Sequence, residues 1–182
     1  VNILDKNLLN NVKMEFKKGD IVGVMGESGT GKSTLLKLIP KFRETDGIYI
    51  NDIPISEIKN KDYLRKVSYY SQNTPIITDT LYNNLNFGRK KVSKAIYEAM
   101  PFLAKFTNLD EMIVENGANL SGGDKQRIAL SRYFTEDADI VILDEPTSSL
   151  DKETEEELMK EILKDTKDKI VFIISHNKEI MK

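Results

Sequence analysis

The sequence predicts an α/β fold with a mainly parallel sheet, an antiparallel β edge and an inserted helical subdomain, and three observations predict it. Three runs, "DIVGVMG" (residues 20–26), "ADIVILDEP" (138–146) and "KIVFIIS" (169–175), carry β-rich apolar residues at consecutive positions. Strands buried on both faces of a parallel sheet read this way. Amphipathic helical patterns flank those runs, which is the alternation that layers helices on a parallel sheet. The middle of the chain, residues 80–134, holds helical patterns and no convincing strand.

Taken in order, residues 32–42 follow the first run with Leu35, Leu36, Leu38 and Ile39 at helical spacing. "DGIYINDIPI" (46–55) opens on a turn pair and then alternates, so it predicts an antiparallel hairpin at the sheet edge. "SKAIYEAM" (93–100) is one of the helical patterns of the insertion. Residues 151–166, "DKETEEELMKEILKDT", predict a charged helix with Leu158, Ile162 and Leu163 turned inward. The division expected is a core of about residues 1–74 and 137–182 around a helical subdomain of about 75–136.

Composition limits what such a fold can do. At 182 residues the chain is long enough for one good core and too short for two ordinary domains. A net charge of -2 leaves no basic excess to hold a nucleic-acid backbone, so no nucleic-acid partner is expected. No segment approaches about 18 consecutive apolar residues, so a membrane role would go through a partner or a further part of the chain. With no cysteine, disulfides and thiolate metal sites are excluded. The start, "VNILDKNLL", has no initiator Met and no signal-peptide order, and reads as a segment of something longer.

The glycine-rich stretch "GVMGESGTGKSTLL" (23–36) lies where the first strand meets its helix. Gly26, Gly31, Lys32 and Ser33 fit G-x-x-x-x-G-K-[ST] in the strand-loop-helix context that the motif requires. Backbone N–H groups along Gly26, Glu27, Ser28, Gly29, Thr30, Gly31, Lys32, Ser33 and Thr34 could wrap a phosphate, with the helix start adding positive potential. Lys32 would reach the β- and γ-phosphates and Ser33 could ligate Mg²⁺. The second element is "IVILDEP", which delivers Asp144 and Glu145 to the carboxyl end of a buried strand. Two carboxylates there are costly without a cation or proton to answer them. Asp144 suits a contact to Mg²⁺, and Glu145 suits a general base that polarises the attacking water.

The third element is "NLSGGDKQRIALSRYF" (119–134), which predicts a helix carrying Ile128, Ala129 and Phe134, N-capped by Ser121 with Asp124 at capping-box spacing. The cap leaves Gly122 and Gly123 unexplained. A pair of glycines at a positive helix terminus would make a second anion site, separate from the first.

Here the chain resembles the ATP-binding cassette (ABC) family, whose core is a P-loop NTPase fold. "GESGTGKST" resembles Walker A, Gln72 in "YYSQN" the Q-loop glutamine, "LSGGD" the signature, "VILDEP" Walker B, "SSLD" (148–151) the D-loop, and His176 in "IISHN" the switch histidine. The resemblance implies an ATPase domain that binds ATP and Mg²⁺ and closes head to tail on a second such domain. Each ATP would then be held by the Walker motifs of one domain and by Ser121, Gly122 and Gly123 of the other. It also implies that Ser33, Asp144 and Gln72 attend the Mg²⁺, and that Gln72 links the site to transmembrane domains at the cytoplasmic face of the membrane. Glu145, His176 and Gln72 would be the catalytic set. "VENGANLSGG" (114–123) is similar to the segment that exporters place before the signature, where Glu115 would face the membrane domain, and also to bacterial exporters of peptides and bacteriocins.

The chain departs from the family at named places. Asp124 stands where glutamine is usual in the signature, "DEPTS" follows Walker B where exporters favour alanine after the glutamate, and no aromatic lies in residues 1–9 to stack on adenine.

Overall fold

The computed structural model describes residues 12–71, 75–87, 91–115 and 117–176, together with the backbone pairing of the short strands β1 (Asn2–Ile3) and β2 (Lys6–Asn7). The elements continue with β3 (Ile21–Val24), α1 (Lys32–Leu36), β4 (Tyr49–Ile50), β5 (Ile53–Pro54), α2 (Asn60–Tyr63), β6 (Val67–Tyr70), β7 (Asp79–Thr80), α3 (Leu81–Leu85) and α4 (Lys94–Glu98). After these come β8 (Met112–Ile113), α5 (Gly122–Ser131), β9 (Ile140–Asp144), α6 (Lys152–Lys164) and β10 (Ile170–Ile174). The chain divides into two compact units, Val1–Tyr69 with Asp137–Glu145 and Thr166–Lys182, and Tyr70–Glu136 with Pro146–Asp165.

The first unit is built on a sheet of order β3-β10-β9-β6, in which β10 lies parallel to both β3 and β9. The fold is α/β, as the consecutive apolar runs predict. All five residues of β9 are buried, as are the last four of β10. β3 differs from the expectation. Its burial alternates and Ile21 is 42% exposed, because β3 closes the sheet's order and, among the described residues, has a strand neighbour on one side only. Leu36, Ile55, Tyr63, Val67, Ile140, Ile142, Phe172 and Ile174 form the core under this sheet, and Val22 and Val24 turn their side chains to it. Phe16 meets Phe172 edge to face at 5.1 Å between ring centres. The hairpin expected at residues 46–55 is present as β4 and β5, antiparallel, turning through Asn51 and Asp52 at positive φ.

α1 is shorter than the 32–42 expected. Regular helix ends at Leu36 and continues as tight turns, in which Leu38 N–H bonds to Leu35 O and Ile39 N–H to Leu36 O. Leu38 is nonetheless buried, so the apolar spacing serves the core without a full helix. Tyr63 donates its hydroxyl to Ile39 O at 2.7 Å, and burial pushes its pKa up to about 12.

The second unit is helical with one small correction. Residues 80–134 do contain strand, the two-residue pair of β7 and β8, whose register sets Asp79 against Ile113. Runs this short carry no period that sequence could show. Thr80 caps α3 by accepting from Asn83 N, and the buried Asn84 fixes the turn before it through Ile77 N, Ile77 O and Thr80 O. The buried Arg132 donates from Nε to Asn84 O at 2.9 Å and lies over the Phe87 ring. α5 stops at Ser131, so Phe134 sits in a following 3-10 turn and not on the helix, while Ile128 and Ala129 are buried as expected.

On α6, Leu158 and Ile162 are fully buried, but Leu163 is 40% exposed and Met159 is buried in its place. A residue next to Ile162 is rotated about 100° around the helix, whereas Met159, three before, shares its face.

Candidate functional site

The parallel register gathers the first group of residues. β10 aligns Ile174 with Val24 of β3 and with Asp144 of β9, so three strands end in one row. The glycine-rich loop leaves from Val24, the carboxylates stand at Asp144 and Glu145, and His176 follows two residues after Ile174. Ligands of open α/β sheets bind beyond such carboxyl ends.

The loop turns into α1 through Gly31, which is the N-cap at φ +94°, a left-handed conformation that an L side chain would strain. Within it, Thr30 Oγ1 donates to Glu27 O at 2.9 Å. Lys32 folds back over the loop and donates from Nζ to Gly26 O at 2.8 Å and Glu27 O at 2.7 Å. Those carbonyl bonds hold the ammonium beside the loop that it would serve. Ser28, Gly29 and Thr34 complete the same turn and first helical residues.

Asp144 is 8% exposed and has a donor on each oxygen. Ser33 Oγ donates to Oδ1 at 3.0 Å, and Tyr69 donates its hydroxyl to Oδ2. Burial, followed by this bond and the Asp144 charge, raises the Tyr69 pKa well above the usual phenol range, so the phenol stays a neutral donor. Because Ser33 spends its proton on Asp144, its oxygen lone pairs remain available as acceptors for a cation. Ser33 and Asp144 are hard oxygen donors of the kind Mg²⁺ takes, with waters and phosphates filling the other positions. Among the described residues no cluster of three or more histidine, aspartate or glutamate side chains could hold a metal instead.

Glu145 has φ +52°, and its N–H bonds to Ile174 O at 3.0 Å, extending the β9–β10 ladder by one residue. Its Oε1 meets His176 Nε2 at 2.8 Å, with the glutamate side chain 28% and the histidine 50% exposed. Gln72 lies outside the described residues.

The second unit holds the signature residues. Ser121 caps α5 by accepting from Asp124 N at 3.2 Å, and Asp124 Oδ2 accepts from Ser121 N at 3.1 Å, which is the expected capping box. The glycines have a packing reason that sequence did not show. A Cβ on Gly123 would lie 3.0 Å from Ser149 O, and one on Gly122 would touch the Ser149 side chain at 3.5 Å. The loop 147–151 is tied to α5 and α6 at several points. Gln126 donates to Ser148 Oγ and accepts from Ser149 N, both at 2.9 Å, and Thr147 Oγ1 donates to Glu155 at 2.6 Å. Arg127 Nη2 reaches Thr154 at 2.8 Å and Asp151 at 3.2 Å.

Sequence reasoning did not single out Tyr69, Gln126 or Lys105. Tyr69 lies in a largely buried strand, "VSYY", where a hydroxyl needs a partner, and that was the available signal. Gln126 and Lys105 showed none beyond being polar.

A parallel sheet whose strand β3 runs through a glycine-lysine-serine loop into a helix, with a serine-aspartate bond to the end of β9, two strands across the sheet, defines a P-loop nucleotide-binding domain. Within that class the sequence matches the ABC transporter family over residues 9–148, and the chain belongs to that family as an ABC ATPase domain. It is 34% identical over 183 residues to an ATP-dependent lipid A-core flippase of Vibrio vulnificus, covering 94% of this chain and 31% of the relative. Over 179 residues it is 37% identical to ATP-dependent lipid A-core flippase 2 of Colwellia psychrerythraea, covering 92% and 31%. A probable ABC transporter ATP-binding/permease protein of Haemophilus influenzae is 34% identical, with 97% and 34% covered. Among solved structures, a bacterial Atm1-family ABC exporter with ATP bound superposes with a TM-score of 0.87 at 27% identity, covering 98% of this chain and 33% of that one. The chain thus spans about a third of the length of the curated relatives it matches.

Proposed function

We propose that this chain is the ATP-hydrolysing motor of an exporter, working as a head-to-tail pair with a nucleotide between the two domains and driving attached transmembrane domains. The observation that carries the reading is the single row of strand ends that brings the Lys32–Ser33 loop, the Asp144 carboxylate and the Glu145–His176 pair to one edge. Its relatives' names, which speak of ATP-dependent flippases and of an ATP-binding/permease protein, support the coupling to transport. No helix of the described residues is long and apolar enough to cross a membrane, so the pathway itself would belong to other segments or chains at the membrane's cytoplasmic face.

In this reading the N–H groups of residues 26–34 bind the β-phosphate, and Lys32 exchanges its carbonyl partners for the phosphate oxygens. Ser33 and Asp144 would hold Mg²⁺, which supplies charge neutralisation on the phosphates when bound. Glu145 accepts the proton of the attacking water, and His176 keeps its carboxylate aimed toward that water. Gln72, which follows β6 in the sequence, would follow the γ-phosphate or Mg²⁺ and relay its state to the transmembrane domains. Ser121, Gly122 and Gly123 bind the γ-phosphate of the opposite domain.

The test is direct. The native chain should bind and hydrolyse Mg-ATP, while Lys32→Ala should lose nucleotide affinity in equilibrium binding with a fluorescent ATP analogue. Native affinity in that variant would refute the assignment.

A further inference from the structure

Asp124 poses an electrostatic problem for the proposed function. It sits in the first turn of α5, next to the N–H groups that would face a γ-phosphate, and two negative groups brought close repel each other. The carboxylate cannot turn away, because Oδ2 is engaged by the Ser121 N–H and the side chain is only 10% exposed. Burial alone would raise the Asp124 pKa, but hydrogen bonds from Lys105 and Ser121 outweigh it and hold the carboxyl below its usual range.

The remaining oxygen, Oδ1, accepts from Lys105 Nζ at 2.5 Å. Arg127 Nη1 also donates to Oδ1, in a longer ion pair at 3.4 Å, and shares its charge with Asp151, so Lys105 is the nearer cation and the one whose loss leaves Asp124 only partly answered. Lys105 comes from the segment after α4, nineteen positions before Asp124, and lies with it in the lining of a cavity of about 240 Å³ beside Phe106, Glu111 and Leu120. The glutamine usual in the family's signature is neutral and needs no such cation.

We infer that Lys105 is a positioning residue for the signature: it neutralises Asp124 so that the helix start at Ser121 to Gly123 accepts a nucleotide γ-phosphate that the bare carboxylate would repel. The inference rests on the proposed nucleotide sandwich. It adds a function for a lysine outside every motif, and it makes Asp124 tolerable as a cap because its charge is answered on the side away from the Ser121 N–H.

The test uses chains carrying Glu145→Gln, in which the ATP-bound pair should persist, and measures the dimer dissociation constant with Mg-ATP by analytical ultracentrifugation. Lys105→Met should weaken the dimer about ten-fold, the order expected for one partly screened charge beside a phosphate. Lys105→Arg, which keeps the charge, should match the parent. Lys105→Met with Asp124→Gln should also recover the parent's value, a rescue that a merely structural lysine would not give. Affinity of the single chain for ATP should be the same in all of them. A Lys105→Met chain that dimerises like the parent, or a double variant that stays weak, would overturn the inference alone. A parent that binds ATP and forms no dimer would overturn both the sandwich and this inference.

Discussion

His176 Nε2 stands 2.8 Å from Glu145 Oε1, a contact between the residues that follow two neighbouring parallel strands. The register of β9 and β10 creates it, since Ile174 lies beside Asp144 and each chain then advances past the sheet edge. In the proposed mechanism the imidazole would orient the glutamate from the end of the neighbouring strand. His176→Ala should lower ATP turnover while leaving nucleotide binding in place, because nothing in the loop 26–34 depends on it. Steady-state kinetics should show kcat reduced by about ten- to a hundred-fold, at or below the general-base range, with KM little changed. An unchanged kcat would remove His176 from the site.

Tyr69 and Asp144 make a second test. Tyr69→Phe removes the donor to Asp144 Oδ2 and leaves the buried carboxylate, among the described residues, with its Ser33 bond. A lost partner of a buried charged group costs about 1–3 kcal/mol. Urea unfolding should register that loss in the absence of nucleotide. Mg²⁺ should restore part of it when ATP is present, because the cation answers the same oxygen charge.

Alkaline pH should destabilise the fold. Burial raises the pKa of Tyr63 from 10.0 to about 12, and it is the first cause that raises those of Tyr69 and Tyr133 as well. A group whose folded pKa is raised contributes stability that is complete below its unfolded value and is lost as pH climbs through the folded one. Stability should therefore be flat through neutral pH and fall from about pH 10 upward. Denaturant midpoints taken at stepped pH should show this, and Tyr63→Phe should make the fall shallower.

The loop 147–151 and α5 should behave as one body. Gln126 bridges Ser148 and Ser149, and Gly123 packs its Cα against the Ser149 carbonyl. Gln126→Ala orphans the Ser149 N–H at a part-buried position, an effect of about 1–3 kcal/mol, whereas Gly123→Ala forces the 3.0 Å contact apart. Both variants should raise hydrogen exchange in residues 147–151 as well as in the first turn of α5. A change confined to one of the two segments would show that they move separately.

What the sequence made legible was what repeats locally. Runs of consecutive apolar residues located β9 and β10, the glycine-lysine-serine loop was readable with its strand and helix, and Ser121 with Asp124 announced a cap that the structure contains. Elements that depend on partners distant in the chain were not readable. β3 has apolar residues like its neighbours, and only its place at the end of the sheet's order exposes Ile21. Lys105, Tyr69 and Gln126 acquire meaning from residues 19 to 75 positions away. Gly123 reads in the sequence as part of an anion site, and the structure shows a packing requirement at it; either would follow from having no side chain, and sequence could not separate them.

Glu145 itself offers the sharpest separation of stability from chemistry. Its φ of +52° is left-handed, a conformation that costs a non-glycine residue about 1–2 kcal/mol, yet its N–H is fixed to Ile174 O and cannot relax. Strain of this kind is kept where a side chain must be aimed. Glu145→Gln retains the backbone cost and the reach of the side chain while removing the carboxylate proposed to take the water's proton. Turnover should fall by about a hundred- to ten-thousand-fold with ATP still bound and the melting temperature unchanged. Glu145→Gly removes the strain as well as the base. Its greater freedom in the unfolded chain costs back roughly 0.4–1 kcal/mol, so the net gain should be up to about 1.5 kcal/mol, or roughly 3–6 °C at that upper end for a chain of this size. The lost contact to His176 subtracts little, because that histidine is half exposed. Two inactive variants should therefore separate by calorimetry, with glycine the more stable. Should glycine melt below glutamine, the left-handed turn is supported by the side chain instead of strained by it, and the trade between aim and stability proposed for Glu145 does not hold.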